Sequence, residues 1–113
     1  MRETFEVQTQ DEGDVAGSAR AYRVIASGEL DSASAPTLGE EFEHLMRAGA
    51  TLVIIDATRL DFLDSSGIRV LIAAGNALEA RGGRLCIDGM SGAVERVLEI
   101  TGLLERYRRA PPE

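Results

Sequence analysis

Two short segments near the start of the chain have the hydrophobic pattern of β-strands. Residues 5–9 alternate apolar and polar side chains, the period of a half-exposed strand. Residues 20–27 contain Tyr22, Val24 and Ile25, and Gly28 closes this second strand. Residues 11–18 are acidic, contain glycine and show no period, which predicts a loop. The two strands are therefore expected to form a hairpin with a long turn.

Apolar residues at helical spacing predict three helices farther along the chain. Either Ser32 or Ser34 can cap the first helix, and Gly49 ends it. An arginine and two glycines at residues 81–83 stop the second. The predicted starts of the three helices lie near Ala35, Ser65 and Gly92.

The remaining segments complete an alternation of strands and helices. Residues 52–55 are a continuous apolar run, typical of a strand covered on both faces. Residues 60–67 are predicted to be a loop, and Leu85 and Ile87 indicate a last strand. The order β-β-α-β-α-β-α with short connections predicts an α/β domain with parallel strands and right-handed crossovers.

Composition narrows the classes of function. The 113 residues suffice for one domain, and the net charge of −7 argues against nucleic acid or an anionic membrane as partner. The chain shows no signal peptide and no apolar stretch of membrane-spanning length, so we expect a cytoplasmic protein. A single cysteine, Cys86, and a single histidine, His44, leave little scope for a disulfide, a metal site or a catalytic triad. We expect no cofactor, no metal and no enzymatic activity.

The segment Asp64-Ser65-Ser66-Gly67 carries the most informative chemistry. It lies where a buried strand leads into a helix, at the edge of the sheet where sites of α/β domains form. Free backbone N–H groups and the helix dipole favour an anion there, so a phosphate on Ser65 would be tolerated. The simpler interpretation is that Asp64, Ser65 or Ser66 only caps the helix. Serine catalysis is disfavoured, since the glycine that a nucleophile elbow needs two residues before the serine is absent.

A second segment, Gly28-Glu29-Leu30-Asp31, follows the second strand. Its simpler interpretation is a strand end, a turn and a helix cap. Because the ends of neighbouring parallel strands converge on one edge, Glu29 and Asp31 are also candidates to lie beside Ser65.

Taken in order, these segments resemble the STAS family, named for sulphate transporters and anti-sigma-factor antagonists. The resemblance covers nearly the whole chain. It is carried by residues 28–31, residues 52–56 and residues 61–68 around Asp64-Ser65-Ser66-Gly67. Residues 82–85 and 101–103 add a resemblance to the family's last strand and closing turn. The implied fold is a single STAS domain over residues 1–113, with a four- to five-stranded mixed sheet, about four helices and a flexible tail from residue 107.

The resemblance also implies a function. In stand-alone antagonists of this family, the unphosphorylated form binds an anti-sigma factor that is also an ATP-dependent serine kinase, and so releases the sigma factor. Phosphorylation at the position of Ser65 switches the antagonist off, and a PP2C-type phosphatase reverses it. The implied partner-binding residues are Glu29, Asp31, Asp64, Ser66, Gly67 and Arg69.

The family also contains modules of another kind. An accessory subunit of a lipid or anion transport system, acting as a protein-binding module, is the alternative. The intact Asp64-Ser65-Ser66-Gly67 favours the phosphorylation switch over that alternative.

Overall fold

A computed structural model of the chain describes residues 5–15 and 19–108. The four strands of this part of the chain form one sheet in the order β1-β2-β3-β4, in which β1 is antiparallel to β2 and the other neighbours are parallel. The α/β class, the mixed sheet and the three predicted helix starts are thereby confirmed. The elements are β1 (Glu6–Val15), β2 (Ala19–Leu30), α1 (Ala35–Arg47), β3 (Leu52–Leu63), α2 (Ser65–Ala80), β4 (Arg84–Asp88), α3 (Gly92–Ile100) and α4 (Leu103–Tyr107).

The predicted loop at residues 11–18 is wrong for its first part, because β1 continues to Val15. The β1–β2 pairing shifts register between Asp11 and Gly13 and then continues to the Val15–Ala19 pair. Gly13 has a φ of 78°, which suits the bulge. An exposed edge strand tolerates acidic residues, so its sequence need not show a hydrophobic period. Residues 16–18 lie outside the described part of the chain.

The predicted loop at residues 60–67 is also wrong in its first half, since β3 extends to Leu63. The pairing of β2 with β3 shifts register twice, between Ile25 and Ser27 and again after Gly28. Each shift gives β3 an extra residue, so its buried positions come every third residue instead of every second. These positions are Ala57, Leu60 and Leu63.

The core lies between the sheet and the helices. Alternate positions of the strands, such as Val24 and Val53, are buried together with apolar side chains from all four of the described helices. The predicted apolar face of α1 is confirmed at Leu38, Phe42 and Leu45. Burying a side chain of this size contributes about 1.5–3 kcal/mol, so these contacts hold α1 on the sheet.

The C-terminal segment packs on α2. Tyr107 is fully buried, and a Cβ atom at Gly75 would lie 2.7 Å from its hydroxyl oxygen, so the glycine makes room for the ring. Arg108 forms an isolated bridge with Ile87 of β4. The predicted flexible tail is therefore wrong for Tyr107 and Arg108, and the rest of that prediction, residues 109–113, lies outside the described part of the chain.

Candidate functional site

The start of α2 is capped by Asp64. Its Oδ1 atom accepts hydrogen bonds from the backbone N–H groups of Ser66, at 2.9 Å, and Gly67, at 3.3 Å. Of the three candidates for the cap, the structure thus selects the aspartate. Ser65 is the first residue of α2, is exposed, and has no described residue hydrogen-bonded to its hydroxyl. The serine hydroxyl is therefore accessible to another protein.

Gly67 fixes the position of this first turn. It is buried, and a Cβ atom there would lie 2.6 Å from Cδ1 of Leu63 and 2.7 Å from Cγ of Leu30. A larger side chain fits only if the helix or the two leucine side chains move. Gly67, one of the partner-binding residues implied by the family resemblance, is thus buried in the fold, and Ser66 beside it is half-buried.

The two segments singled out in the sequence meet at the same edge of the sheet. The backbone N–H of Asp64 donates to the carbonyl oxygen of Leu30 at 3.2 Å. Just before this point, Glu29 of β2 pairs with Phe62 of β3. The parallel pairing of β2 with β3 therefore brings Glu29 and Asp31 to the edge of the sheet where Ser65 lies, as expected from the sequence.

Asp31 has a structural task at this edge. Its Oδ1 atom accepts hydrogen bonds from the N–H groups of Ala33, at 3.0 Å, and Ser34, at 3.1 Å. The Ser34 side chain is buried and turns back: its hydroxyl lies 2.7 Å from the carbonyl oxygen of Glu29 and accepts from the N–H of Asp31 at 2.9 Å. Ser34 is the N-cap residue of α1 without making a side-chain cap bond. These bonds hold the end of β2 in place.

A third aspartate stabilises the bulged half of β3. The Asp56 carboxylate accepts from the Thr58 N–H at 3.0 Å, just where the register shifts. Hydrogen bonding by Thr58 lowers the pKa of Asp56, and the nearby Arg23 and Arg59 guanidinium groups act in the same direction, while partial burial opposes them. The ionised form of Asp56 is therefore the one that the fold favours.

The other two candidates for chemistry, Cys86 and His44, lie outside the start of α2. Cys86 is buried in β4, and His44 is exposed on α1. Within residues 5–15 and 19–108, no three histidine, cysteine or acidic side chains are arranged to hold a metal ion. No helix in that part of the chain is long and apolar enough to cross a membrane.

The fold and the site agree with a family match that covers most of the chain. Residues 14–109 match the STAS domain family. The chain belongs to the STAS domain family.

Relatives of this STAS domain include bacterial regulators. A protein of Listeria monocytogenes named anti-sigma-B factor antagonist is 32% identical over 80 residues, which are 71% of this chain and 70% of the relative. The crystal structure of an anti-sigma factor antagonist from Mycobacterium paratuberculosis has a TM-score of 0.74 at 25% identity, over 95% of this chain and 87% of that one. The anti-sigma factor antagonist SpoIIAA in its unphosphorylated form shares the fold, with a TM-score of 0.73 at 22% identity over 97% of this chain and 90% of that one.

Sequence reasoning missed one residue at the site of this STAS domain. Phe62, paired with Glu29 and two residues before the Asp64 cap, is 45% exposed. Leu60, Phe62 and Leu63 are all apolar, so the sequence gives no reason to separate Phe62 from its two buried neighbours. Only the register shifts of β3 distinguish them. A loop, as predicted for residues 60–67, has no strand register.

Proposed function

We propose that this STAS domain is an anti-sigma-factor antagonist controlled by phosphorylation of Ser65. In the unphosphorylated form it binds an anti-sigma factor that is also a serine kinase, and the sigma factor is released. The kinase transfers the γ-phosphate of ATP to the Ser65 hydroxyl, with ADP as the other product and the hydroxyl proton lost. A PP2C-type phosphatase hydrolyses the phosphoserine and restores binding.

The observation that carries this proposal is the exposure of Ser65 at the first position of α2. Because Asp64 bonds the N–H groups of the first turn, the serine hydroxyl is not needed to hold the helix. Serine phosphorylation adds about −1.5 to −2 charge and three acceptor oxygens. Such a group changes the surface while leaving the cap intact, which is the property a reversible switch requires.

The relatives support the class of partner. The Listeria monocytogenes and Mycobacterium paratuberculosis proteins are antagonists of anti-sigma factors by name, and both align with most of this chain. We therefore assign the partner of this chain to the anti-sigma factors.

The proposed contact surface is the edge of the sheet around Ser65. Glu29 on β2 and Arg69 on the first turns of α2 are exposed, and Asp31, Asp64 and Ser66 are half-buried. In this proposal the chain acts by binding alone and catalyses no reaction. A purified sample should then show no esterase, phosphatase or nucleotidase turnover above that of a Ser65→Ala control.

The test is a binding measurement with the purified anti-sigma factors encoded in the same genome, each in the presence of ATP or ADP. The unmodified chain and Ser65→Ala should bind one of them. The phosphorylated chain and Ser65→Asp should bind it at least about tenfold more weakly, or about 1.4 kcal/mol. A Ser65→Asp variant that binds as tightly as the unmodified chain would contradict the switch.

A further inference from the structure

Phe62 and Ile100 are the large apolar side chains that remain exposed in the described part of the chain, at 45% and 77%. Single exposed apolar residues are common and need no explanation by themselves. Ile100 ends α3 and belongs to no site described above. Phe62 differs, because it lies at the same edge as Ser65. Ser65 is the third residue after Phe62, so the two Cα atoms are within about 11 Å.

The bulges of β3 are what expose Phe62. Gly28 pairs with Leu60 and Glu29 pairs with Phe62, so Asp61 is the extra residue between them. Leu60 is buried, and strict alternation from it would direct Phe62 into the core as well. The extra residue reverses this, so that Asp61 and Phe62 are exposed and Leu63 is buried. Bulges beside functional sites commonly redirect one side chain in this way.

The surroundings of Phe62 are charged. Glu29 lies opposite it on β2 and Asp61 precedes it, and both carboxylates are exposed. Arg59, also exposed, is the nearest cation along the strand. An aromatic ring flanked mainly by carboxylates is complementary to an apolar pocket flanked by lysine or arginine side chains.

We propose that Phe62 is the anchor by which this surface holds its anti-sigma factor, inserting its ring into an apolar pocket with a basic rim. This inference rests on the proposed function, and it names the residue that contributes most to the affinity. Aromatic residues are enriched among the few interface positions that dominate binding energy. Ser65 then lies at the margin of the same contact, where a phosphate can disturb an interface that Phe62 holds.

The experiment compares Phe62→Ala with Ile100→Ala for binding to the anti-sigma factor that the unmodified chain binds. Phe62→Ala should weaken binding at least about tenfold, as expected for a buried aromatic anchor. Ile100→Ala removes an apolar side chain that is even more exposed, so it should bind within about twofold of the unmodified chain. Phe62→Tyr keeps the aromatic ring and should retain most of the affinity of the unmodified chain. This result would show that Phe62→Ala binds weakly because the ring is lost and not because the backbone has changed.

Three outcomes would overturn the inference. The first is Phe62→Ala binding within about threefold of the unmodified chain, less than the tenfold that one anchor should contribute. The second is equal losses in Phe62→Ala and Ile100→Ala. The third is a change in self-association of Phe62→Ala, measured by sedimentation, with unchanged affinity for the anti-sigma factor, since the ring would then contact a second copy. If the unmodified chain binds no anti-sigma factor, the proposed function fails, and the inference fails with it.

Discussion

The turns that follow β2 and β3 begin with the same hydrogen bonds and continue differently. Asp31 and Asp64 each accept from the N–H groups two and three residues farther on. After Asp64 the chain enters α2 at once, and Ser65 is its first residue. After Asp31 a further turn precedes α1, which begins four residues later at Ala35.

An Asp-Ser pair therefore does not define the candidate site by itself. Ser32 and Ser65 both follow an aspartate that accepts hydrogen bonds from backbone N–H groups of the next turn, and both serines are exposed. Ser65 alone of the two stands at the N-terminus of a 16-residue helix, whose dipole favours an anion. The residues that follow each serine, above all Gly67 after Ser65, therefore give the two serines different surroundings.

The largest expected effect is in the position of the phosphate. Incubation with the cognate kinase and ATP should place one phosphate on Ser65. Ser32 should receive less, because α1 begins three residues after it and the dipole of that helix acts only over its first turn. Phosphopeptide mass spectrometry of the unmodified chain and of Ser65→Ala measures this directly. Equal modification of Ser32 and Ser65, or phosphate on Ser66 with Ser65 unmodified, would contradict the assignment of the phosphate to Ser65.

The second effect concerns two glycines, one in each helix. Gly67→Ala forces a methyl group against Leu30 and Leu63 and should destabilise the fold by about 1–3 kcal/mol. A Cβ atom at Gly39 in α1 would have no packing neighbour within 4 Å among the described residues. Gly39→Ala should therefore stabilise by up to about 1 kcal/mol, through helix propensity. Denaturant unfolding of both variants gives the comparison, and destabilisation by Gly39→Ala to the same extent as by Gly67→Ala would show that packing is not the cause.

The third effect distinguishes a buried serine from two exposed ones. Ser34→Ala removes a buried hydroxyl that contacts Glu29 and Asp31, and the unsatisfied backbone groups should cost about 1–3 kcal/mol. Ser32→Ala and Ser65→Ala change exposed side chains and should stay within about 0.5 kcal/mol of the unmodified chain. Thermal unfolding of the three variants is the measurement. A loss for Ser65→Ala as large as for Ser34→Ala would mean that its hydroxyl has a structural role.

The sequence predicts most of the fold because most elements have a clean period. The face of α1, the buried run that starts β3 and the three helix starts follow from spacing and capping residues. The second half of β3 could not be predicted in this way, since its two bulges space Ala57, Leu60 and Leu63 three apart. That spacing is neither the period of a regular strand nor that of a helix.

The candidate site was predictable in part. Ser65 and its helix follow from the local sequence, and the approach of Glu29 follows from parallel pairing. The choice of Asp64 over the two serines as cap depends on backbone angles, which the local sequence leaves open among three good capping residues. Phe62 depends on a bulge formed with another strand, so no local pattern could reveal it.

The smallest expected effect is on the stability of the phosphorylated chain. A phosphate on Ser65 gains about 0.3–1 kcal/mol from the N-terminus of α2, and the negative charge of the adjacent Asp64 opposes it. Arg69 lies four residues after Ser65 on the helix, the spacing at which an anion and a following cation attract each other. Arg69→Ala should therefore cost about 0.2–0.5 kcal/mol more in the phosphorylated chain than in the unmodified chain. Thermal unfolding at low salt of the unmodified sequence and of Arg69→Ala, each with and without the phosphate, measures this difference. Arg84→Ala on β4 is the control for the loss of one exposed positive charge. An equal difference for Arg84→Ala would show a general charge effect and no contact between Arg69 and the phosphate.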